Sequence, residues 1–457
     1  MIATPDVVNQ PSDSTRPIEA APSWWTITNR SVDEGRLLLL AGAFVFVGLC
    51  LLGLVNQRDA NSPIGAYQIA PGLLIAAFVT WAVCFAGLHR QLDQHQRDRD
   101  AFILPIVALL SGWGLIEIAR LAPGFLPRQL LWLVVSTAAF IFISRTPTDL
   151  KWLRRYRYTW LLIGLVLLAL TFIIGVNPEG VGLTLWLGGI LGVFFQPSEM
   201  LKLLFVAFLA SYLAEKREIA HSLGPTQRAR YLTLPYLAPL IAMWAVSMLL
   251  LIAQQELGSS LLLYFSFLVM LFLASGKRRY LAVGAVLLVV AAVAGYLLIG
   301  RVRGRIDTWL NPWADAAGSS YQVVQSLIAL NTGGVIGTGL GQGYPEVILP
   351  AAHTDMPLAA IGEEFGLAGT LAVVACYTAL TLRGLRIAAT ARTTFGRLLA
   401  AGLATSLGLQ AWIIMAGNAG LAPLTGVTLP FISYGGSSLL MSFIEIGLLL
   451  HIAADRD

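Results

Sequence analysis

The chain is 457 residues long, 57% apolar and only 12% Asp, Glu, Lys or Arg, with a net charge of +5. Soluble domains carry about 25% charged residues. So little charge cannot cover a water-facing surface, which excludes an ordinary cytosolic enzyme, a disordered chain and a disulfide-stapled secreted one.

Residues 1–36, rich in Pro, Ser and Asp, precede any apolar run and are predicted to form a flexible tail. The first apolar run is long enough to cross a bilayer, so no cleavable signal is expected. Twelve spans follow, at 37–55, 66–88, 101–119, 129–144, 159–176, 199–214, 232–253, 258–275, 280–300, 356–382, 398–417 and 430–452. A helix needs roughly 20 apolar residues to cross the hydrocarbon core, and the shorter runs suit tilt or local thinning. The fold class is therefore all-α, a polytopic membrane helical bundle. Cys50, Cys84 and Cys376 all fall inside spans, lack CxxC spacing and are expected to be small buried packing residues.

Basic residues orient the spans. With the N-terminus inside, 23 of the 30 Lys and Arg sit on inner segments. Arg58, Arg120, Arg128, Arg301, Arg303 and Arg305 lie outside, and Lys202 lies within a span. Shifting the model by one span inverts this bias, so both termini are expected in the cytoplasm.

The outer segment 301–355 far exceeds the ~12–15 residues of a structureless connection and is expected to be functional. It carries DTWLNPWADAAGSSYQ, NTGGVIGTGLGQGYPE and PAAHTD. Its recurring glycines (Gly333, Gly334, Gly337, Gly339, Gly341, Gly343) fit either a phosphate cradle or tight turns with close backbone approach. The Lys-Ser/Thr that completes a P-loop is missing. Trp309 and Trp313 fit interfacial anchors or pocket walls, the anchor role being favoured.

Four polar clusters fall toward the outer face, where ionisable side chains are costly and point to function. In Gln196-Pro197-Ser198-Glu199-Met200-Leu201-Lys202, Glu199 suits the positive end of a helix whereas Lys202 does not. The two share a helix face, so they can pair, or Lys202 can serve an anion. The turn Gln254-Gln255-Glu256-Leu257-Gly258-Ser259-Ser260 places Glu256 as a lone carboxylate at the boundary. Partial desolvation would raise its pKa toward the range of a general base; an exposed carboxylate without a role is the alternative. His353, Asp355, Glu363 and Glu364 suggest a metal set, but their spacing matches no standard motif, and hydrogen bonding that orders the long loop is the favoured role. Pro430 to Ser438 (PFISYGGSS) offers small residues for close helix packing and hydroxyls for bonds between helices.

Together and in this order the motifs resemble the RodA/FtsW/SpoVE (SEDS) family of bacterial cell-shape, division and sporulation proteins. PSExxK is matched by Pro197, Ser198, Glu199 and Lys202. QELG at 255–258 is similar to PDLG, and Asn311-Pro312-Trp313, Asp315, Gly318, Tyr321 and Gln322 resemble NPWxDPxGxxYQ. The glycine-rich stretch, HTD at 353–355, GEExG at 362–366 and PFISYGGSS match as well. Arg120 with Gln129-Leu130-Leu131-Trp132 looks like the family's first outer loop. The resemblance covers about 101–453, and so many motifs in register make it highly specific.

The resemblance implies a ten-helix domain over 89–457 with the 301–355 outer loop, preceded by two extra N-terminal helices at 37–88. It implies a peptidoglycan glycosyltransferase that polymerises lipid II at the outer face of the bacterial plasma membrane, partnered by a class B penicillin-binding protein. A lipid II flippase and an inactive scaffold that activates the penicillin-binding protein are the rival readings. The acidic residue of the PDLG-like motif, Glu256, is the implied catalytic residue. Glu199, Lys202, Arg120, His353, Asp355 and Ser433 are the implied substrate contacts, with Lys202, Arg120 and glycine-loop amides available to the diphosphate. No cofactor or metal ligand set is evident, though a divalent cation is compatible. Two positions depart from the family's PDLG pattern. Glu256 replaces Asp, a stem longer by roughly 1.5 Å, and Gln255 replaces Pro, which frees the backbone to re-aim the turn.

Overall fold

The computed structural model describes residues 30–58, 69–96, 99–146, 150–177, 184–189, 193–222, 234–343, 349 and 351–454. Residues 1–29 of the expected tail and the Tyr-Pro-Glu at 344–346 lie outside the described residues, while 30–36, expected to belong to the flexible tail, instead form the first turns of the first helix. Each predicted span is a helix. The first six are α1 Arg30–Arg58, α2 Pro71–His95, α3 Ile103–Leu121, α4 Leu126–Ser144, α5 Arg157–Ile174 and α6 Pro197–Ser222. Next come α7 Leu234–Ala253, α8 Leu257–Ser275 and α9 Arg279–Leu298. The outer segment folds into α10 Gly300–Leu310 and α11 Tyr321–Thr332, before α12 Pro357–Thr390, α13 Thr394–Asn418 and α14 Gly436–Ala454. Among the described residues, eleven helices are long and apolar enough to cross a membrane, and the shorter apolar stretch Leu237–Ala253 of α7 supplies the twelfth span.

Local chemistry sets the ends. Proline, which has no N–H to lose, occupies the first turns of α2, α4 and α12. Thr393 caps α13 by accepting the Gly396 N–H at 2.9 Å. Gly276 ends α8 in the left-handed conformation (φ 68°), where L-residues are strained.

Burial divides the helices into centre and rim. The most apolar window of α6 is 94% buried, against 6% for α9. Accordingly α6 packs on α5, α8, α13 and α14, whereas α9 exposes Val283, Val286, Val289 and Val290 as a lipid-facing surface suited to its apolar sequence. The extra helices α1 and α2 pack on α3 and α4. At the end expected inside, a buried ionic cluster fixes them: Arg99 donates to Glu34 at 2.8 and 2.9 Å and to Asp93 at 2.5 Å, and His89 Nδ1 lies 2.7 Å from Glu34.

The structure differs from expectation at several further points of the fold. Segment 301–355 is not an open loop, because its amphipathic first and middle parts form α10 and α11. The last span begins at Gly436, not 430, because Phe431 takes a left-handed φ of 71° and Ser433 turns its hydroxyl to the backbone. Cys50 is exposed on α1, so of the free cysteines only Cys84 is fully buried and Cys376 is half-buried.

Removing one partner of a buried ion pair leaves a charge uncompensated. Glu34→Ala is therefore expected to destabilise the fold by about 3 kcal/mol, read as a lower unfolding temperature in detergent. Asp33→Ala, which removes a 3.6 Å contact to the exposed Arg36, is expected to change it little.

Candidate functional site

The four polar clusters meet at one end of the bundle, the end that the charge bias assigns to the outside. Three residues join α7 to α8. Gln254 pins them to the end of α5 by donating to the Leu168 carbonyl (2.9 Å) and the Thr171 hydroxyl (2.5 Å). Gln255 follows with a left-handed φ of 56°, and Glu256 then occupies the N-cap of α8. Gly258 lets α8 press against the neighbouring chain, since an added Cβ would stand 2.7 Å from the Thr425 carbonyl.

Glu256 is only 8% exposed. Its Oε1 accepts from Gln196 Nε2 at 3.0 Å, while Oε2 makes no hydrogen bond to any described residue. Burial raises its pKa above the ordinary glutamate value, and the negative charge of Glu199 pushes the same way. Ser198, Gln196 and Ser259 pull it partly back. The Ser198 hydroxyl acts from close by without reaching hydrogen-bond geometry.

Gln196 immediately precedes α6, and its N–H donates to Ser437 of α14 at 2.8 Å. One turn into α6, Lys202 Nζ donates to Glu199 Oε1 (2.9 Å) and to Gln410 Oε1 of α13 (2.8 Å). Gln410 passes the bond on to the Thr428 carbonyl at 2.9 Å. Glu445 of α14 interacts electrostatically with both Lys202 and Glu199. Of the two roles open to Lys202, the structure shows the ion pair. The sequence reading missed Gln410 and Glu445, although a carboxyl inside a span is itself a signal.

The remaining candidates separate. Arg120, at the end of α3, donates to Glu364 Oε1 (3.1 Å) and to the Gly343 carbonyl (2.9 Å), with Glu117 close enough to feel both charges. The glycine stretch packs on the 362–366 turn. Gly337 donates to the Gly333 carbonyl (2.8 Å), Thr338 to that of Glu363 and Gly339 to that of Glu364, both at 2.9 Å. The amides of Gly337, Thr338 and Gly339 are thus committed to backbone, which favours close approach over a phosphate cradle at these positions. The His353 ring stacks on Phe125 with centroids 5.3 Å apart, and its carbonyl accepts from Tyr434 N–H. Ser433 donates to the Thr354 carbonyl (2.6 Å) and accepts from Leu429 N–H (2.9 Å), so its hydroxyl ties the two loops together. Asp355 instead faces a cavity. Among the described residues no three His, Cys, Asp or Glu gather as a metal site.

That cavity, about 290 Å³, is lined by Arg301, Arg305, Trp309, Gln322, Asp355 and Leu424, among others. Arg301 donates to Gln255 Oε1 at 2.9 Å, so the cavity wall adjoins the turn that carries Glu256. Arg305 donates to the Thr425 carbonyl at 2.9 Å. Trp309 is a pocket wall rather than an anchor, held by an N–H bond to the Gly420 carbonyl at 3.0 Å. Trp313 is 61% exposed, as an interfacial anchor would be.

A buried carboxyl with one unbonded oxygen, next to a turn whose Gln255 holds an arginine of a cavity wall, lies at one end of an apolar bundle, an arrangement suited to a polytopic membrane enzyme. The chain belongs to the FtsW/RodA/SpoVE family, described as cell cycle protein, whose model matches residues 101–457. It is 38% identical over 434 residues to the peptidoglycan glycosyltransferase RodA of Mycobacterium tuberculosis, covering 92% of this chain and 90% of that one. A probable peptidoglycan glycosyltransferase FtsW of Geobacter metallireducens is 37% identical over 354 residues, covering 76% and 90%. The fold matches a chain from a study of polymerization and crosslinking by a peptidoglycan synthase complex with a TM-score of 0.64 and 28% identity, over 78% of this chain and 98% of that one. Thermus thermophilus RodA matches with a TM-score of 0.56 and 25% identity, over 78% and 97%. Glycosyl transfer in peptidoglycan synthesis is accordingly its enzyme class. The mycobacterial match covers more of the chain than residues 101–457 can supply, so it extends into α1 and α2.

Proline cannot take a φ of 56° or donate the Gln255 N–H that now reaches the Ile252 carbonyl at 2.9 Å. Gln255→Pro is therefore expected to cost about 3 kcal/mol, seen as a lower unfolding temperature, whereas Gln255→Gly is expected to hold it within about 1 kcal/mol.

Proposed function

We propose that this chain polymerises lipid II at the outer face of the bacterial plasma membrane, with both termini in the cytoplasm and Glu256 as the general base. The observation that carries this reading is the Glu256 carboxyl, held at one oxygen by Gln196 and unsatisfied at the other, beside a cationic cavity. A buried acceptor without a partner is costly. A substrate hydroxyl donated to Oε2 removes that cost and is at the same time placed for deprotonation.

In this reaction the acceptor's sugar hydroxyl gives its proton to Glu256 Oε2 while its oxygen bonds to the anomeric carbon of the donor. The bond from that carbon to the diphosphate breaks, and undecaprenyl diphosphate leaves with the electron pair. Gln196 fixes the carboxyl plane, and the Lys202–Glu199 pair positions the first turn of α6 that presents it. Gln255's left-handed backbone is the device by which a glutamate on a longer stem occupies a turn where relatives are expected to carry Pro-Asp. The partner we propose is a class B penicillin-binding protein that cross-links the emerging glycan, a reading supported by the synthase-complex chain whose fold this one shares.

The test is polymerisation of lipid II by purified protein with its partner. Glu256→Gln is expected to lower the rate at least ~100-fold, the span of general-base effects. Equal product from this variant and the parent would remove the proposed base. A base works deprotonated, and burial raises the pKa of Glu256. The parent rate should therefore fall as pH drops through a value above the usual carboxylate range near ~4.3. The residual rate of Glu256→Gln should lack that acid limb.

A further inference from the structure

We propose that Arg301 and Arg305 of α10 clamp the diphosphate of the lipid-linked substrate in the cavity beside Glu256. This rests on the reading that the substrate is a polyprenyl-diphosphate sugar, and it replaces the cations that the sequence offered for the role. Lys202 is 4% exposed and held between Glu199 and Gln410. Arg120 is bound to Glu364 and the Gly343 carbonyl. Neither lines the cavity, whereas Arg301 and Arg305 do.

Position and geometry set these two apart from a chance pair of surface arginines. Four residues apart, they share one face of α10. Arg303 lies on another face, where it donates to the Tyr296 and Leu297 carbonyls at 3.1 and 3.2 Å. Arg301 donates through one terminal nitrogen to Gln255, and Arg305 through one to the Thr425 carbonyl. A guanidinium has five N–H donors in a planar fork, so each bond orients the fork and leaves donors for a bidentate phosphate contact. Both anchor points belong to the walls of the catalytic turn: Gln255 precedes Glu256, and Thr425 is the residue on which Gly258 packs.

Electrostatics point the same way. Two guanidinium groups at one cavity repel, and Asp355 offsets only part of their charge. A dianionic diphosphate relieves the repulsion, and half-burial of Arg305 limits screening by salt. Because charge grows on the diphosphate as the glycosidic bond breaks, the clamp would bind the transition state more tightly than the ground state.

The experiment measures binding of undecaprenyl diphosphate to the full chain in phosphatidylcholine nanodiscs, with inorganic diphosphate and phosphatidylglycerol as competitors. Arg301→Ala and Arg305→Ala are each expected to weaken binding about tenfold or more, the scale of a charge-assisted fork. Arg303→Ala should bind like the parent. Arg305→Lys should recover part of the loss, since the charge returns without the fork. In polymerisation assays Arg305→Lys should lower kcat as well as raise KM.

Competition by inorganic diphosphate supports the assignment. Equally effective competition by phosphatidylglycerol overturns it, as does parent-like binding by both Arg301→Ala and Arg305→Ala or an equal loss in Arg303→Ala. Glu256→Gln should retain binding, so failure of the base and failure of the clamp are read separately.

Discussion

The bond from the Gln196 amide to Glu256 is the contact on which the arrangement turns. It joins residues 60 apart in sequence and brings the start of α6 against the α7–α8 turn. Gln196 also takes Ser437 of α14 through its backbone, and Lys202, one turn further along, takes Gln410 of α13. Helices that are otherwise held by apolar side chains thus converge on one polar node. In a lipid-like interior such groups find partners within the protein or impose a cost. Glu256 Oε2 departs from that rule, as do the neighbouring Ser198 hydroxyl and Gln254 Oε1, so acceptors and donors without a partner among the described residues gather at this turn.

The helices were legible in the sequence because membrane spans announce themselves locally, through run length, while end signals such as Pro71 and Thr393 went unread and left the boundaries several residues off. Glu256 and the Glu199–Lys202 pair were legible for a related reason: a charge in or beside an apolar run is conspicuous. Their partners were not. Gln410 lies 208 residues from Lys202, and Glu364 lies 244 from Arg120, so no spacing rule connects them. The glycine stretch was ambiguous because glycine permits both a ligand's approach and a backbone's. Only the bonds to Glu363 and Glu364 decide between the two. Trp309 illustrates the same limit, since an indole at a membrane boundary and one walling a cavity share a composition and differ only in what the N–H meets.

The two departures from the PDLG pattern, Gln255 and Glu256, are linked in physical terms. Proline fixes φ near −65°, so a chain with Pro at 255 cannot adopt the backbone seen here. With Gln255 at φ 56°, the turn enters α8 by a path that proline does not allow, and the Glu256 carboxyl is presented from that path. The Gln255 side chain has a role of its own as well, because it receives Arg301 where proline offers no side-chain acceptor.

The distribution of cations follows from what each environment permits. Lys202 is enclosed by Glu199 and Gln410, so its charge is already paired before any ligand arrives. Opening that pair to seat an anion would strand a buried carboxylate, a cost of several kcal/mol. Arg120 is similarly engaged with Glu364. Arg301 and Arg305 instead border a hollow, and their protein acceptors are an amide oxygen and a carbonyl, which orient a guanidinium without cancelling its charge. A leaving group that carries growing negative charge needs cations of the second kind, available and aimed. The first kind serves to hold the helices in register around Glu256.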